Sequence, residues 1–323
     1  MQRALTDFGA DAAFGKVPEK VKEHYGVEVP LSAAQTITEQ HACRIRQQEV
    51  LLEQLPRGGV GQLIGELDGS FVPIVSVAAR EDSSAPQDGR KRRQLSWREA
   101  RLSLAREPDK VDGWYRVTLG GPERAGELFV DCVIRAGGGQ ATKLHFVGDG
   151  APWIVNQIKQ RFGPLAEYLI DFYHLSDYLS GAATQIVGPQ QSKEWLHAQQ
   201  QRLKANEINE VLGELRTYQP AEKPQAPPEY ATTAECEKDP VAACLQYIEN
   251  RLDYLDYAGT LKAGLPIGSG EVESGHGWLI QDRLKLSGAW WKEENADHML
   301  ALRTLRANQQ WESYWTEVRQ AAM

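Results

Sequence analysis

The middle of the chain is a succession of strand patterns, and it limits the possible folds more than any other feature. From residue 61 the segment GQLIGELDGSFVPIVSV is apolar with a period of two, and WREARLSLARE (97–107) alternates between polar and apolar residues. WYRVTLGG, ELFVDCVIRAG and ATKLHFVGDGAPWI predict further strands, separated by glycine-rich turns. A helical pattern in IVNQIKQRFG and a short buried strand in AEYLIDFYHL follow. Strands with a helical crossover predict an α/β fold with a mixed sheet.

Helical patterns flank this strand-rich stretch on both sides. Before it, two helices are predicted, the first stopped by Gly26 and the second opened by Pro30. Such a pair is either a plain helical hairpin or a helix-turn-helix. Four segments follow from these patterns: an N-terminal helical segment at 1–60, a sheet-rich core at 61–175, a helical insertion with a proline-rich loop at 176–262, and a helical segment rich in tryptophan at 263–323.

Composition narrows the class of protein only slightly. The formal charge is −8, from 44 acidic and 36 basic residues, which gives nucleic-acid binding no general support. Two basic stretches nevertheless stand out, at 90–101 and at 283–306. No run approaches the roughly 18 apolar residues of a membrane helix, and the N-terminus lacks the apolar block of a secretory signal. The four cysteines form no CxxC pair, which argues against a structural zinc site and a disulfide framework.

Three carboxylates lie where metal chemistry needs them. Asp68 lies in a strand in ELDGSF, Asp149 ends another strand in VGDGAP, and Glu273 lies in the first turns of a helix. A buried, unpaired aspartate is costly, and a hard cation such as Mg²⁺ offsets that cost. Two such cations activate the attacking oxygen and stabilise the leaving oxygen of a phosphodiester. The alternative is that both aspartates are turn residues, since Asp-Gly is a common turn dipeptide.

The acidic member on the helix is one of two residues in GSGEVES. Glu271 falls in the first turn, where a carboxylate complements the helix dipole without any catalytic task. Glu273 shares a helix face with His276, Ile280 and Leu284, and that apolar face is predicted to point inward. We therefore expect Glu273 to be the buried carboxylate and the metal ligand.

Two further features have both a functional and a structural interpretation. Asp171 and His174 lie three residues apart at the end of a predicted strand, where they either assist the chemistry or form a satisfied polar pair. Six of the nine tryptophans follow residue 190, and core packing is the commoner use for such residues. Trp195, in an otherwise polar stretch, is the best candidate for stacking on DNA bases.

The blocks around these residues resemble the ISKra-type family of bacterial insertion-sequence transposases, relatives of the mutator-like group. Nearly the whole chain takes part in the resemblance. The matching blocks are ELDGSFVP, FVGDGAPWI, IDFYHLSDYL, LPIGSGEVESGHGWLIQDRLKLSGAWW and NADHMLALRTLRANQQWESYW.

The resemblance implies a ribonuclease-H-like mixed-sheet core, with an all-helical insertion before the helix that carries the catalytic glutamate. It implies a triad of Asp68, Asp149 and Glu273 that holds two Mg²⁺ or Mn²⁺ ions. Asp171 and His174 match the auxiliary D-x-x-H element of such enzymes. The implied partners are DNA, at the element ends and the target, and further copies of the chain in a dimer or higher oligomer. A cytoplasmic location, on the nucleoid when bound to DNA, and no membrane association are expected.

Five side chains are expected to contact DNA. The expected contacts are Arg92, Arg93, His276, Arg283 and Lys285.

Two positions depart from the family pattern, Gly277 and Asp282, where the family has basic residues whose loss weakens the grip on phosphates. Family members also begin with a longer region, so an N-terminally truncated copy is expected. An inactive remnant that only binds DNA is therefore the alternative function. A sugar hydrolase with a carboxylate pair is a more distant one, and it predicts activity that survives EDTA.

Overall fold

The computed structural model describes residues 1–77, 93–218 and 239–321. The chain divides into two compact units, the first formed by Met1–Thr142 with Gly270–Met323 and the second by Lys143–Ser269. The sequence pattern places its boundaries at 61, 176 and 263, whereas the second unit already begins with a strand at residue 143. Most of the proline-rich loop, and with it the prediction that this loop is mobile, lies outside the described residues.

The first unit begins with three helices: α1 at Gln2–Asp11, α2 at Val17–Tyr25 and α3 at Leu31–Gln47. A 3-10 turn at Phe14–Lys16 precedes α2. Gly26 ends α2 with a φ of 67°, a left-handed conformation that glycine adopts without strain. The two helices predicted from the sequence are confirmed. Helix α3 buries Ala42 and Ile45 in the main core of the unit, so packing accounts for its apolar face.

Three antiparallel strands follow: β1 at Gln62–Val77, β2 at Arg93–Arg106 and β3 at Trp114–Thr118. In the β1–β2 register Asp68 lies opposite Leu102. Since side chains alternate along a strand, Glu66, Asp68 and Ser70 share one face of β1 with the buried residues that follow them. The period of two in the sequence predicts these strands correctly.

The segment ELFVDCVIRAG, predicted as a strand, is helical instead. It belongs to α4, Pro122–Arg135, which packs on β2 and β3. The helix buries residues on most of its circumference, including Asp131, which pairs with Arg116 at 2.6 Å. The run LFVDCVI is a short, mostly apolar stretch rich in β-branched and aromatic residues, and periodicity alone does not separate such a stretch from a buried strand, which is the physical reason for the wrong prediction. Pro122 in the first turn was the available helix signal.

The C-terminal part of the first unit is helical. Helix α11, Gly270–Gly275, continues as a π-helical stretch at His276–Gln281 and a last α-helical turn at Asp282–Leu284. These 15 residues are called the 270–284 segment below. Helices α12 at Glu293–Ala307 and α13 at Trp311–Gln320 complete the unit. The main core lies between these helices, α3 and the apolar residues of the strands.

The second unit contains a parallel strand pair and helices. Strands β4 at Lys143–Gly148 and β5 at Ala166–Ile170 pair in parallel, as their connection through a helix requires. The core of the unit gathers Leu169 and Ile170 of β5 with apolar residues of the helices. The helices of this unit are α5 at Pro152–Phe162, α6 at Phe172–Val187, α7 at Ser192–Lys204, α8 at Ile208–Thr217, α9 at Pro240–Glu249 and α10 at Tyr257–Lys262, with 3-10 turns at Gly163–Leu165 and Leu252–Tyr254.

In the first unit the strands hydrogen-bond in the order β3-β2-β1, and in the second unit β4 pairs with β5. Antiparallel pairing among β1–β3 and parallel pairing of β4 with β5 make the sheet a mixed one. The predicted α/β fold with a mixed sheet is confirmed. Within the described ranges, no helix has the length and apolar character needed to cross a membrane.

Candidate functional site

A ladder of polar contacts joins strand β1 to the 270–284 segment. Glu66 accepts a hydrogen bond from the backbone N–H of Val272 at 2.8 Å. One step along the same face, Asp68 Oδ2 lies 3.1 Å from His276 Nε2. A further step along, Ser70 accepts a hydrogen bond from Gln281 at 3.3 Å. Two strand residues advance about 6.6 Å, and the four residues from Val272 to His276 advance about 6 Å in a helix, so the two spacings match over the first step of the ladder.

The Asp68–His276 contact is the chemically distinctive step of the ladder. His276 is buried, and neither of its ring nitrogens has a hydrogen-bond partner in the structure. The 3.1 Å separation allows an ion pair if the imidazole is protonated, but the two groups are not aligned for a hydrogen bond. The Asp68 side chain is 27% exposed, and in the described part of the chain no lysine or arginine pairs with it. A carboxylate that is open to solvent and lacks a cationic partner is available to a cation.

Close packing holds the 270–284 segment against the strands. A Cβ atom at Gly275 would lie 2.7 Å from Leu102 Cδ2, so any larger residue would have to displace the end of that buried side chain. Val272, His276, Ile280 and Leu284 are all buried, which confirms the predicted inward face of the helix. The π-helical stretch adds one residue to the turn between His276 and Gln281. Because of this wider turn, His276 contacts Asp68 and Gln281 contacts Ser70 on the same strand.

Glu273 itself does not lie on the inward face, and its predicted burial is wrong. The buried residue beside it is Val272, whereas Glu273 is exposed. The spacing i, i+3 and i+7 defines only a broad helix face. Glu273 lies at the edge of that face, just outside its buried part, so its exposure was not predicted. Glu271 is the half-buried carboxylate, and it forms an ion pair with Arg106. Glu271 is thus neutralised, and Glu273 is left without a basic partner among the described residues.

The charges of the ladder affect a neighbouring tyrosine on β3. Burial, together with the negative charges of Glu271 and Glu66, raises the pKa of Tyr115. The Tyr115 ring packs edge-on against Trp278 of the 270–284 segment, with centroids 5.4 Å apart. The phenol therefore stays neutral beside the carboxylates.

Asp149 follows the last residue of β4 in the second unit. Its Oδ1 accepts a hydrogen bond from the N–H of Ala151 at 2.8 Å, the geometry of an aspartate in a turn. Its backbone carbonyl accepts the hydroxyl of Tyr247 at 2.6 Å. The neighbouring Gly150, with a φ of 76°, receives Arg251 at its carbonyl. The turn is therefore rigidly held, and Asp149 is half-buried in it.

Asp171 directly follows the last residue of β5 and is the buried N-cap of α6. It accepts the N–H groups of Tyr173 at 2.6 Å and His174 at 2.9 Å, and so caps α6. Its other oxygen accepts both the N–H and the hydroxyl of Ser269, each at 2.5 Å. The His174 ring packs against Tyr178 and Tyr247. Asp171 thus fixes the residue that directly precedes the 270–284 segment.

The expected DNA contacts have different surroundings. Arg283 is 2% exposed, and its Nε donates to the carbonyl of Gly9, so it does not lie on an open surface and its expected contact with DNA stays a prediction. His276 is likewise buried and faces Asp68, which corrects its assignment as a DNA contact. Lys285 and Arg93 are exposed. Arg92 lies outside the described residues.

The tryptophans divide into packed and exposed residues. The indole of Trp195 donates to Glu214 at 2.7 Å and packs against the core of the second unit, which favours packing over base stacking. Trp291 and Trp315 are buried in the core of the first unit. Trp278 and Trp290 are exposed at 40% and 56%.

The donor set suits a divalent cation in its chemistry. In the first unit, Asp68 and Glu273 are carboxylates without a lysine or arginine partner, and His276 offers an unpartnered imidazole. Across the ranges 1–77, 93–218 and 239–321, no three His, Cys, Asp or Glu side chains converge closely enough to hold a metal by themselves. A cation at Asp68 would therefore take further oxygen ligands from water or substrate, as Mg²⁺ usually does.

Sequence reasoning missed Glu66, Ser70 and their contacts. The signal was present, because Glu66, Asp68 and Ser70 are spaced two apart in ELDGS and a strand places such residues on one face.

No protein-family model matches the chain, and no curated protein matches it. The function therefore has to be inferred from the side chains themselves and from the motif blocks.

Proposed function

We propose that the chain is a DNA transposase that cuts and joins DNA strands with the help of divalent cations. The observation that carries the proposal is the environment of Asp68. It is a partly exposed carboxylate on a strand, with no lysine or arginine partner among the described residues, and it lies 3.1 Å from the buried imidazole of His276. The five motif blocks in chain order support the same function, and the mixed sheet agrees with the ribonuclease-H-like core that they imply.

The proposal assigns a role to five side chains of the first unit. Asp68 and Glu273 hold the cation, and the assignment of Asp149 as the third carboxylate comes from the sequence resemblance alone. Bound Mg²⁺ or Mn²⁺, two ions in the expected complement, supplies the charge that activates an attacking oxygen and stabilises a leaving one. Glu66 holds the N-terminal turn of the 270–284 segment through Val272, and so fixes the direction in which Glu273 points. The exposed cations Lys285 and Arg93 contact phosphates.

A strand-cleavage assay tests this function. A labelled duplex that carries the genomic flanks of the gene is incubated with the chain and Mg²⁺, with and without EDTA. Nicking that requires Mg²⁺ and disappears in the Asp68→Asn variant is the expected result. Activity that survives EDTA would instead identify a metal-independent hydrolase.

The alternative, a remnant that binds DNA without cutting it, has one observation in its favour. Arg283 is buried, and Gly277 and Asp282 stand where the family has basic residues, so few cations surround the 270–284 segment. Binding of the same duplex without Mg²⁺-dependent nicking would establish this alternative.

A further inference from the structure

A cleft of about 510 Å³ lies in the first unit, away from Asp68. On one side it is lined by the 3-10 turn that contains Phe14 and Gly15, and on the other by the loop after the 270–284 segment, with Trp290 and Trp291. The loop is held in place, because the carbonyl of Trp291 accepts the N–H of Val75 on β1 at 2.7 Å. The volume falls within the range of small-molecule binding sites.

Two buried hydrogen-bond donors that line this cleft have no acceptor. Arg283, 2% exposed, uses Nε to reach the carbonyl of Gly9, but its Nη2 has no partner. The rings of Phe14 and Trp291 lie 4.7 Å and 4.6 Å from the guanidinium carbon. Trp291, 5% exposed, has an indole N–H that is also without a partner. Since buried donors are nearly always satisfied, these two can accept a ligand that brings acceptor atoms in place of water.

The charges of the cleft favour an anionic ligand. Its one lining carboxylate, Glu39, already accepts hydrogen bonds from Gln35 and Asn295 at 3.1 Å and 3.0 Å. Arg283 and the exposed Lys292 give the lining an excess of positive charge in a chain whose net charge is −8. A phosphate oxygen matches donors of this kind.

An exposed aromatic surface adjoins the donors. Trp290 lines the cleft and is 56% exposed. The guanidinium of Arg93 lies over its ring, 5.0 Å from the centroid. An exposed indole beside cations is a stacking surface for nucleobases, which bind such rings without regard to sequence.

We propose that the cleft binds an unpaired nucleotide of DNA. Its phosphate accepts hydrogen bonds from Arg283 and Trp291, and its base stacks on the free side of Trp290. The choice of a nucleotide rests on the proposed function in DNA transposition. Arg283 thereby contacts DNA inside a cleft, and not on the open surface that its place in a basic stretch suggests.

The test measures binding of a fluorescein-labelled single-stranded oligothymidylate to the full chain in EDTA, where no metal-dependent cleavage occurs. Trp290→Ala removes the stacking surface. Gly15→Leu places a bulky side chain on the cleft lining, at a position where an added Cβ atom meets no atom within 4 Å. The controls are Trp97→Ala, at an equally exposed tryptophan (57%), and Gly58→Leu, at an equally open glycine, neither of which lines the cleft.

We expect Trp290→Ala and Gly15→Leu each to weaken oligothymidylate binding about tenfold or more, and the two controls to leave it within about twofold. A blunt duplex and free inorganic phosphate, used as competitors, should displace the oligonucleotide poorly. Equal affinity for all five proteins would overturn the proposal and indicate that the donors are satisfied by water only. Equally strong displacement by phosphate would also overturn it, since the base would then contribute nothing.

Parallel cleavage measurements with Mg²⁺ separate this proposal from the proposed function. A chain that never nicks DNA, but whose binding depends on Trp290 and Gly15, contradicts transposition and supports the cleft. A chain that nicks DNA with binding unaffected by both changes supports transposition and contradicts the cleft.

Discussion

Glu271 and Glu273 lie two residues apart on one helical turn, yet their surroundings assign them different tasks. Arg106 pairs with Glu271, whereas Glu273 is exposed and without a basic partner in the described ranges. The sequence alone predicted the same assignment for another reason, the burial of Glu273, and that reason is wrong. Glu271 is neutralised by Arg106, which lies 165 positions away, so the local sequence pattern does not predict this ion pair.

The two glutamates can be compared directly by substitution. Glu273→Gln removes a proposed metal ligand and should lower the nicking rate roughly a hundredfold or more. Glu271→Gln removes only a partly exposed ion pair, so it should change the rate less than about tenfold and stability by about 1 kcal/mol or less. Nicking of the labelled duplex under single-turnover conditions gives both rates. The reverse ranking would assign the metal to Glu271.

His145 on β4 connects pH to the stability of the second unit. It is 2% exposed, and its Nε2–H donates to the carbonyl of Pro266 at 2.9 Å. Burial lowers its pKa, and the carbonyl partly opposes this effect. The unfolded chain, with a histidine pKa of about 6.5, therefore binds more protons below that pH than the folded chain does. Stability is complete above about pH 6.5 and falls as the pH drops toward the lowered folded value.

Urea unfolding at about pH 7.5 and about pH 5.5 measures this dependence. In His145→Gln the loss of stability between the two pH values should be smaller than in the parent chain. His197→Gln, at an exposed histidine in the same unit, is the control and should preserve the parent's loss. An identical pH dependence in all three proteins would exclude His145 as the cause.

At the scale of elements, the sequence predicts regular patterns well and long-range pairings poorly. The alternation in ELDGSFVPIVSV identifies β1, and the apolar spacing of Val272, Ile280 and Leu284 identifies the inward face of the 270–284 segment. The helix α4 was missed because its apolar run LFVDCVI is as short as a buried strand and rich in strand-forming residues. The polar ladder was missed because each contact joins residues about 200 positions apart, which no local pattern records.

Asp171 shows how one side chain can join two elements. Its carboxylate caps α6 and holds Ser269, so it accepts four hydrogen bonds in all from Tyr173, His174 and Ser269. Asp171→Asn replaces one acceptor oxygen with an amide NH₂, which faces donors. We expect a loss of about 2–3 kcal/mol in the free energy of unfolding, measured by urea denaturation.

The control for Asp171 lies on the same helix. Asp177 is exposed, and Asp177→Asn should alter stability by about 0.5 kcal/mol or less. If Asp171→Asn proves as mild as this control while nicking is lost, Asp171 acts in the chemistry and not as a structural cap.

At the scale of the whole molecule, charge limits the affinity for DNA. The net charge is −8, and the basic stretch at 283–306 is not a surface stripe, because Arg283 and Arg303 are buried. Arg306 pairs with Asp7 and Asp11. The chain should therefore bind duplex DNA weakly, with an affinity that declines steeply as salt rises.

Introducing basic residues at two positions of the 270–284 segment should strengthen this binding. An added Cβ atom at Gly277 meets no atom within 4 Å, and Asp282 is exposed, so we expect Gly277→Lys and Asp282→Lys both to fit the fold. Each added phosphate contact should steepen the salt dependence of log K by about one unit. Fluorescence anisotropy across a salt series measures it. Gly213→Lys, at another open helical glycine, is the control, and an equal gain there would show a general charge effect.

The central claim is that Asp68 holds a metal ion during strand cleavage, and a change of ligand tests it most directly. A cysteine thiolate binds Mg²⁺ poorly but accepts softer cations such as Mn²⁺ more readily. The measurement is the nicking rate of Asp68→Cys with each cation, set against the rates of the parent chain. We predict that Asp68→Cys is inactive with Mg²⁺ and regains nicking with Mn²⁺, whereas the parent is active with both. Equal rates for variant and parent in Mg²⁺, or a folded variant that no cation restores, would contradict a metal-binding role for Asp68.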